Sequence, residues 1–422
     1  MTALKAILEN LAMYRPTGES ILARLGADKE SPLQMLREMI DVCREWDVTG
    51  DIWHGYLACY LAGNENPWSL RCEMGGGEEL GLGDAVDFLA RCDCESLKDL
   101  FSLSLCDAIG MKLSDGHLMG IHESRGTETG RILTDLAQKL ASASCGEFYH
   151  ILREHYNTYG VGILGHYRAF KLGAEGELKP IARTDPARFT DLIGCEAEKA
   201  ELLKNTRAFL AGKDANNVLL YGDSGTGKST CIKALINECW QDGLRLIEAY
   251  KYQMHLLPDV IAAVKDRGYK FILYIDDLSF EDFEGEYKFL KSVIEGDVEG
   301  KPKNLLVYAT SNRRHLVKET WNDRGDMTHH DDIHHSDTLE EKLSLAGRFG
   351  LAINFSSPRR GEYHEIVRIL AQKAGISMDE KELFRGADAW EIRHGGVSGR
   401  VAQQYINYLT CDAFEGEKEP TC

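Results

Sequence analysis

Nowhere in this chain do about twenty apolar residues follow one another, so the sequence offers no helix able to cross a bilayer. The opening stretch MTALKAILENLAMYRPTGES lacks the layout of an export signal and carries acidic residues instead. Basic residues are also in short supply: 49 Lys and Arg stand against 67 Asp and Glu, a formal net charge of −18. A non-specific grip on nucleic acid or anionic lipid needs the opposite balance, so a nucleic-acid partner is disfavoured and no membrane partner is expected. Metal-type cysteine spacing is missing as well. Twelve cysteines are scattered over 422 residues, and the closest pair, Cys92 and Cys94, has no second pair to complete a zinc site. Reduced, mostly buried thiols in a soluble cytoplasmic protein are expected.

The chain does have length, enough for two or three packing units. Residues 1–150 place apolar side chains three or four apart in ALKAILENLAMY, PLQMLREMIDVCREW, IWHGYLACYLAG, LGDAVDFLARC and LKDLFSLSLCDAIGMKL, the spacing of helices that bury one face. Gly75, Gly76 and Gly77 interrupt this helical domain, and Glu123 to Gly130 reads as an exposed loop. The domain carries no recognisable chemistry, which leaves it client or partner binding. Residues 151–190 read as a linker into the next region.

From Pro180 the pattern becomes short apolar strands separated by helices: NNVLLY (216–221), LRLIEAY (244–250), KFILYID (270–276), NLLVYAT (304–310) and LAINFS (351–356). Near-continuous apolar strands of this kind imply an α/β fold whose parallel sheet is covered on both faces. The core is expected over 191–357. Three helical stretches over 358–414 form a lid, and 415–422 reads as a disordered tail.

Strand NNVLLY runs into GDSGTGKST and then the helix TCIKALINECW, so the phosphate-loop pattern G-x-x-x-x-G-K-[ST] lies in its proper strand-to-helix context. Gly222, Asp223, Ser224, Gly225, Thr226, Gly227, Lys228, Ser229 and Thr230 are the candidate cradle. Its glycines let backbone N–H groups turn inward, and the helix start adds partial positive charge, so a polyphosphate is held largely by main chain. Lys228 is expected to reach the β- and γ-phosphates of ATP, and Ser229 to ligate Mg²⁺.

Strand KFILYIDDLSF ends in Asp276 and Asp277. Side-by-side carboxylates at the end of a buried strand resist joint ionisation without a cation, which favours Asp276 as a Mg²⁺ ligand. Asp277 is the candidate base that orients the attacking water, in preference to a simple turn cap, with Glu281 a weaker substitute. NLLVYATSNRRHL brings Asn312 off another strand end, as a holder of the lytic water or an ordinary turn residue. Arg313 and Arg314 follow, as solvated charges or as contacts across a subunit boundary.

The order of GDSGTGKST, ILYIDD, ATSN, EEKLSLAGRFG and SGR resembles the AAA+ succession of Walker A, Walker B, sensor 1, arginine finger and sensor 2. DLIGCE, FILYIDDLSFED, YATSNRRHLVKE, EEKLSLAGRFGL and SGRVAQQYI resemble more closely the bacterial ATP-binding proteins of the domain-of-unknown-function 815 family, over about Tyr159 to Leu409. The resemblance implies a five-stranded AAA+ core with a C-terminal helical lid, ATP and Mg²⁺ as ligands, and a homo-oligomer such as a ring, possibly a hexamer. It implies that Arg348 is a finger offered to a neighbouring subunit and that Arg400 is the sensor in the same subunit's lid. It also implies that Leu192, Ile193 and Gly194 lie beside adenine.

Two departures stand out. Asp277 occupies a position where most AAA+ members carry Glu, which points to slow hydrolysis. The stretch WNDRGDMTHHDDIHHSD is an insertion, and its His329, His330, Asp331, Asp332, His334 and His335 read as a solvated polar loop rather than a metal site, for want of fixed ligand spacing. The expected function is an ATP-hydrolysing remodelling or chaperone-like motor with a protein client. The alternatives are a slow ATP-dependent switch or scaffold, a nucleic-acid motor with Arg313, Arg314, His315 and Lys318 as its footprint, and a P-loop kinase. A kinase has no reason to carry Asn312, Arg348 and Arg400 in this order.

Overall fold

The computed structural model describes residues 2–18, 20–27, 31–75, 84–110, 120–278, 287–295, 300, 302–312 and 347–416. The chain divides into two compact units, Met1–Tyr167 and Arg168–Cys422.

The first unit is helical, as its apolar spacing predicts. Its longer helices are Pro32–Glu45, Ile52–Gly63, Ala85–Ser102, Glu128–Ser142 and Cys145–Tyr159, around a core that includes the fully buried Tyr14, Trp53, Trp68, Phe148 and Tyr156. Asp51, Asn66, Asp84, Ser104 and Thr127 each accept an N–H from the first turn they precede, which satisfies donors a helix start leaves orphaned. The Ser104 cap explains one difference from the sequence pattern. LKDLFSLSLCDAIGMKL reads as one helix, but Ser104 Oγ accepts from the Asp107 N–H at 3.1 Å and starts a second, Leu105–Ile109. Glu128–Ser142 likewise begins inside a segment that reads as loop, where Asp47 accepts the N–H groups of Arg125 at 2.6 Å and Thr127 at 2.8 Å. The buried Asp93 carboxylate accepts N–H groups from Ala12, Met13 and Tyr14 at 2.7–2.9 Å, fixing the exit of the first helix. Cys145–Tyr159 runs through residue 150, where the sequence pattern ends this domain.

The second unit is built on seven strands: β1 (Ala169–Leu172), β2 (Leu178–Pro180), β3 (Val218–Gly222), β4 (Leu244–Ala249), β5 (Lys270–Ile275), β6 (Leu305–Ser311) and β7 (Leu351–Phe355), in spatial order β2-β1-β4-β5-β6-β3-β7. The five expected strands are all parallel, and β3 lies between β6 and β7. The sheet is two strands wider than expected because the presumed linker contributes β1, parallel to β4, and β2, antiparallel to β1. All seven residues of β6 are buried, as befits a central strand covered on both faces. Helices α1 (Glu196–Leu210), α2 (Lys228–Cys239), α3 (Leu257–Val264) and α4 (Tyr287–Glu295) interleave with the strands.

Helices α5 (Arg360–Lys373), α6 (Glu380–His394) and α7 (Gly399–Gly416) form the expected lid around Tyr363, Val367, Ala387, Ala402 and Ile406. Helix α7 includes Glu415 and Gly416, the first residues of the expected tail. No helix of the described residues is long and apolar enough to cross a membrane.

Candidate functional site

The site begins where β3 turns into α2. Gly222 has φ 135°, and a Cβ there would lie 2.1 Å from the Phe355 carbonyl oxygen at the end of β7, so only glycine lets these two strand ends meet. Asp223 then binds the same strand end: its carboxylate accepts from the Ser357 N–H at 3.2 Å and from the Ser357 hydroxyl. Thr226 Oγ1 donates to the Asp223 carbonyl at 2.8 Å and closes the loop. Lys228 is the first residue of α2, and its Nζ donates to the carbonyls of Gly222 at 3.0 Å and Asp223 at 2.6 Å. Burial lowers the Lys228 pKa, while the nearby carboxylates of Asp223, Asp276 and Asp277 act to raise it.

Asp276 follows directly on β5. Its Oδ1 accepts from Ser229 Oγ at 3.0 Å, Tyr274 Oη at 2.7 Å and Thr310 Oγ1 at 2.5 Å. Burial disfavours the charged carboxylate, but hydrogen bonds from Thr310, Tyr274 and Ser229 outweigh it and hold the Asp276 pKa below the usual range. A serine hydroxyl against an anionic carboxylate is an all-oxygen pair, the donor type that suits a small, hard divalent cation retaining several waters. Asp277 adopts a left-handed backbone with φ 51°, its N–H donates to Thr310 Oγ1 at 2.9 Å, and its Oδ1 accepts from Asn312 Nδ2 at 2.8 Å. Asn312 thus meets the acid pair from beside it, just past the end of the adjacent strand β6.

These groups face a cleft of about 920 Å³ that also contains Leu192, Ile193, Gly194 and, from the lid, Arg400. Arg400 reaches across to the phosphate loop, donating to Ser224 Oγ at 3.3 Å. The Asp191–Gly194 segment is pinned by the buried Lys199, whose Nζ donates to the Leu192 carbonyl at 2.8 Å and to Glu196 Oε1 at 2.6 Å. Leu192 packs on the sheet-side core, Ile193 on the lid core, and Asp191 pairs with Lys373 of the lid at 2.8 Å. The hydrogen bond from the Cys231 thiol lowers the pKa of Cys195, another residue of the cleft wall.

The fold therefore brings Gly225, Thr226, Gly227, Lys228, Ser229, Thr230, Asp276, Asp277, Asn312 and Arg400 to one cleft. Gly222, Asp223 and Ser224 shape the loop without lining it. Arg348 does not line it either and is paired with Glu295 at the end of α4. Glu281, Arg313, Arg314, His315, Lys318 and the histidine-rich stretch 329–335 lie outside the described residues, as do Gly76, Gly77 and residues 417–422. The sequence reading missed Lys199, Tyr274 and Thr310. For the last two a signal existed: Tyr274 stands two residues before Asp276 and Thr310 two before Asn312, and residues two apart on a strand share a face.

The family model described as "Protein of unknown function (DUF815)" matches residues 165–413. The chain belongs to this family. The match takes in both strands that widen the sheet, the whole cleft and the lid, and the DUF815 chain has an α/β fold in which a P-loop sheet, parallel but for its edge strand β2, is followed by a helical lid. Among characterised proteins, the ATP-dependent zinc metalloprotease FtsH 2 of Salinibacter ruber is 24% identical over 257 residues, covering 52% of the DUF815 chain and 34% of the relative. The chain thus spans about a third of that relative's length. Similar solved structures include the RuvB Holliday junction branch migration motor of Thermotoga maritima, at 18% identity and a TM-score of 0.38 over 53% of this chain and 63% of that one. PCH-2 of C. elegans follows at 15% identity and a TM-score of 0.37, over 55% and 65%.

Proposed function

We propose that the chain binds ATP with Mg²⁺ in this cleft and hydrolyses it to ADP and phosphate. The observation that carries the reading is the convergence of the phosphate loop, the Ser229–Asp276 pair, the Asp277–Asn312 pair and the lid's Arg400 on one cleft. Backbone N–H groups of the loop and Lys228 bind the β- and γ-phosphates, with Lys228 Nζ exchanging carbonyl oxygens for phosphate oxygens. Ser229 and Asp276 hold the cation, which when bound offsets charge on the phosphates. Asp277 orients and deprotonates the attacking water, and Asn312 positions Asp277. Arg400 binds phosphate from the lid, so the nucleotide state is felt where lid and sheet meet. Leu192, Ile193 and Gly194 receive the adenine.

Arg348, held by Glu295 off the cleft, is the finger supplied to a neighbouring subunit in a homo-oligomer. In that assembly the lid's motion drives remodelling of a protein client held by the helical unit, in a cytoplasmic protein. The net charge of −18 argues against nucleic acid as the client.

A second reading is favoured by one feature of the site. Asp277 is a short acid, in a left-handed backbone, with one oxygen already engaged by Asn312, and such a base is slow. The protein then acts as an ATP-dependent switch that turns over rarely. Light scattering with parallel phosphate release, across protein concentrations and with and without Mg-ATP, separates the two. Assembly on ATP with specific activity rising with concentration supports the motor. Tight ATP binding without turnover supports the switch. Lys228→Ala is expected to abolish nucleotide binding under both readings, and retained affinity would refute both.

A further inference from the structure

Of the five buried residues of β5, Phe271, Ile272, Leu273, Tyr274 and Ile275, only Tyr274 carries a polar side-chain atom, and it is 3% exposed. Its hydroxyl donates at 2.7 Å to Oδ1 of Asp276, two residues along the same face. Two more hydroxyls donate to that same oxygen: Thr310 Oγ1 on β6 at 2.5 Å and Ser229 Oγ in the first turn of α2 at 3.0 Å. A carboxylate oxygen has about two lone-pair sites, so three donors fill it. Among the described residues no side-chain donor meets the other oxygen, Oδ2.

A buried phenol needs an acceptor, and that need accounts for one of these bonds. It does not account for three elements each spending a hydroxyl on one oxygen. Thr310 also accepts the Asp277 N–H at 2.9 Å, so a single hydroxyl ties both acids. Ser229 gives its one proton to Asp276, which leaves its lone pairs for a cation. We infer that Tyr274 is a positioning residue: with Thr310 it pins Asp276 by Oδ1, so that the carboxylate offers a cation one oxygen only, and the site takes Mg²⁺ in preference to Ca²⁺. The inference rests on the nucleotide reading of the cleft.

The preference follows from how the two ions take oxygen. Ca²⁺ gathers about six to eight ligands in flexible geometry and readily accepts both oxygens of one carboxylate. Mg²⁺ keeps several waters and demands a near-octahedral shell, which one fixed carboxylate oxygen and a serine hydroxyl leave room for. With Oδ1 filled by three donors, Asp276 cannot turn to grip an ion with both oxygens. Without the Tyr274 hydroxyl one of those donors is gone, and the side chain gains freedom to rotate toward a two-oxygen grip. Tyr274 touches no cation itself and acts through Asp276, as outer contacts to metal ligands do.

The test uses the full chain with a non-hydrolysable ATP analogue and Mn²⁺ as a paramagnetic probe. Electron paramagnetic resonance follows the protein-bound Mn²⁺ signal as Mg²⁺ or Ca²⁺ displaces it, and titration of a fluorescent ATP analogue in EDTA gives the metal-free nucleotide affinity. Wild type should release Mn²⁺ at a lower concentration of Mg²⁺ than of Ca²⁺. In Tyr274→Phe, Mg²⁺ affinity is expected to fall by about tenfold or more, with Ca²⁺ affinity unchanged or higher and metal-free nucleotide affinity held. Thr310→Val should shift the same way, and Thr310→Ser, which keeps the hydroxyl, should behave as wild type. Unchanged Mg²⁺ affinity in Tyr274→Phe overturns the inference, as do Mg²⁺ and Ca²⁺ affinities that fall together, or a wild type that takes Ca²⁺ as readily as Mg²⁺. A wild type that binds neither analogue, with or without cation, ends the nucleotide reading and this inference with it. Nucleotide bound by wild type with no cation effect in the variants ends the inference alone.

Discussion

The side-chain amide of Asn312 donates to Asp277 Oδ1 at 2.8 Å, joining the tips of two adjacent parallel strands across the cleft floor. Asp277 reaches that position on a backbone of φ 51°, which a short polar side chain tolerates and a longer one does not. The geometry supplies a physical reason for aspartate at a place where glutamate is commoner among proteins of this fold.

Asp277→Ala is therefore expected to bind ATP within a few-fold of wild type while hydrolysis falls by about 100-fold or more. Asp277→Glu should not be faster than wild type, because the left-handed backbone costs about 1–2 kcal/mol with a longer side chain. Single-turnover phosphate release, alongside nucleotide titration, measures both. A glutamate variant that hydrolyses faster would show that chain length, not backbone, limits the base.

Arg348 pairs with Glu295 and stays off the cleft of its own chain, so removing it should leave nucleotide affinity unchanged and remove hydrolysis. Mixing Arg348→Ala with Lys228→Ala should restore activity, since one contributes an intact nucleotide site and the other an intact finger. Phosphate release from the mixture, compared with each variant alone, is the measurement. No rescue, together with a monomer in the presence of ATP, would end the trans-finger idea.

His155 gives the helical unit a pH dependence. It is 5% exposed, its Nε2 has no hydrogen-bond partner among the described residues, and its ring lies 5.6 Å from His166, 5.3 Å from Tyr159 and 5.7 Å from Tyr156, with Lys139 also near. Burial, His166 and Lys139 all push its pKa well below the ordinary 6.5, so the folded protein keeps it neutral. The unfolded chain takes up a proton near 6.5 and the folded one does not. The stability of this unit is thus undiminished above that pH and declines as pH drops through it. Thermal unfolding of wild type and His155→Phe between pH 7.5 and 5.5 should show the slope in wild type and a shallower one in the variant. Equal slopes would mean that another group sets the acid response.

The phosphate loop and acid pair were legible in the sequence because their chemistry is local: glycine, lysine and serine within eight positions, and two carboxylates at one strand end. The sheet's parallel character was legible for a similar reason, since uninterrupted apolar strands leave no polar face for solvent. Lys199 was not, because its role is to reach back and satisfy backbone carbonyls seven and ten residues away, a contact that α1 creates only once folded. The two extra strands were missed because AFKL and LKP are too short, and too exposed on one side, to stand out from a linker. Helix starts such as Thr127 escaped notice because the caps look like ordinary loop residues until the Asp47 carboxylate arrives from some 80 residues away.

The hairpin of β1 and β2 sets a lower limit on how far the chain can be trimmed. β1 hydrogen-bonds along β4, a strand with five of its six residues buried, and β2 closes the outer side. A fragment begun at Asp191, where the apolar pattern first suggests a core, strips both away and leaves β4 presenting bare amides and carbonyls beside Leu246 and Ile247. Such an edge recruits strands from other molecules, and the product would be aggregate rather than folded protein. The sheet-bearing unit travels with its hairpin, and a fragment that stays in solution starts upstream of Ala169.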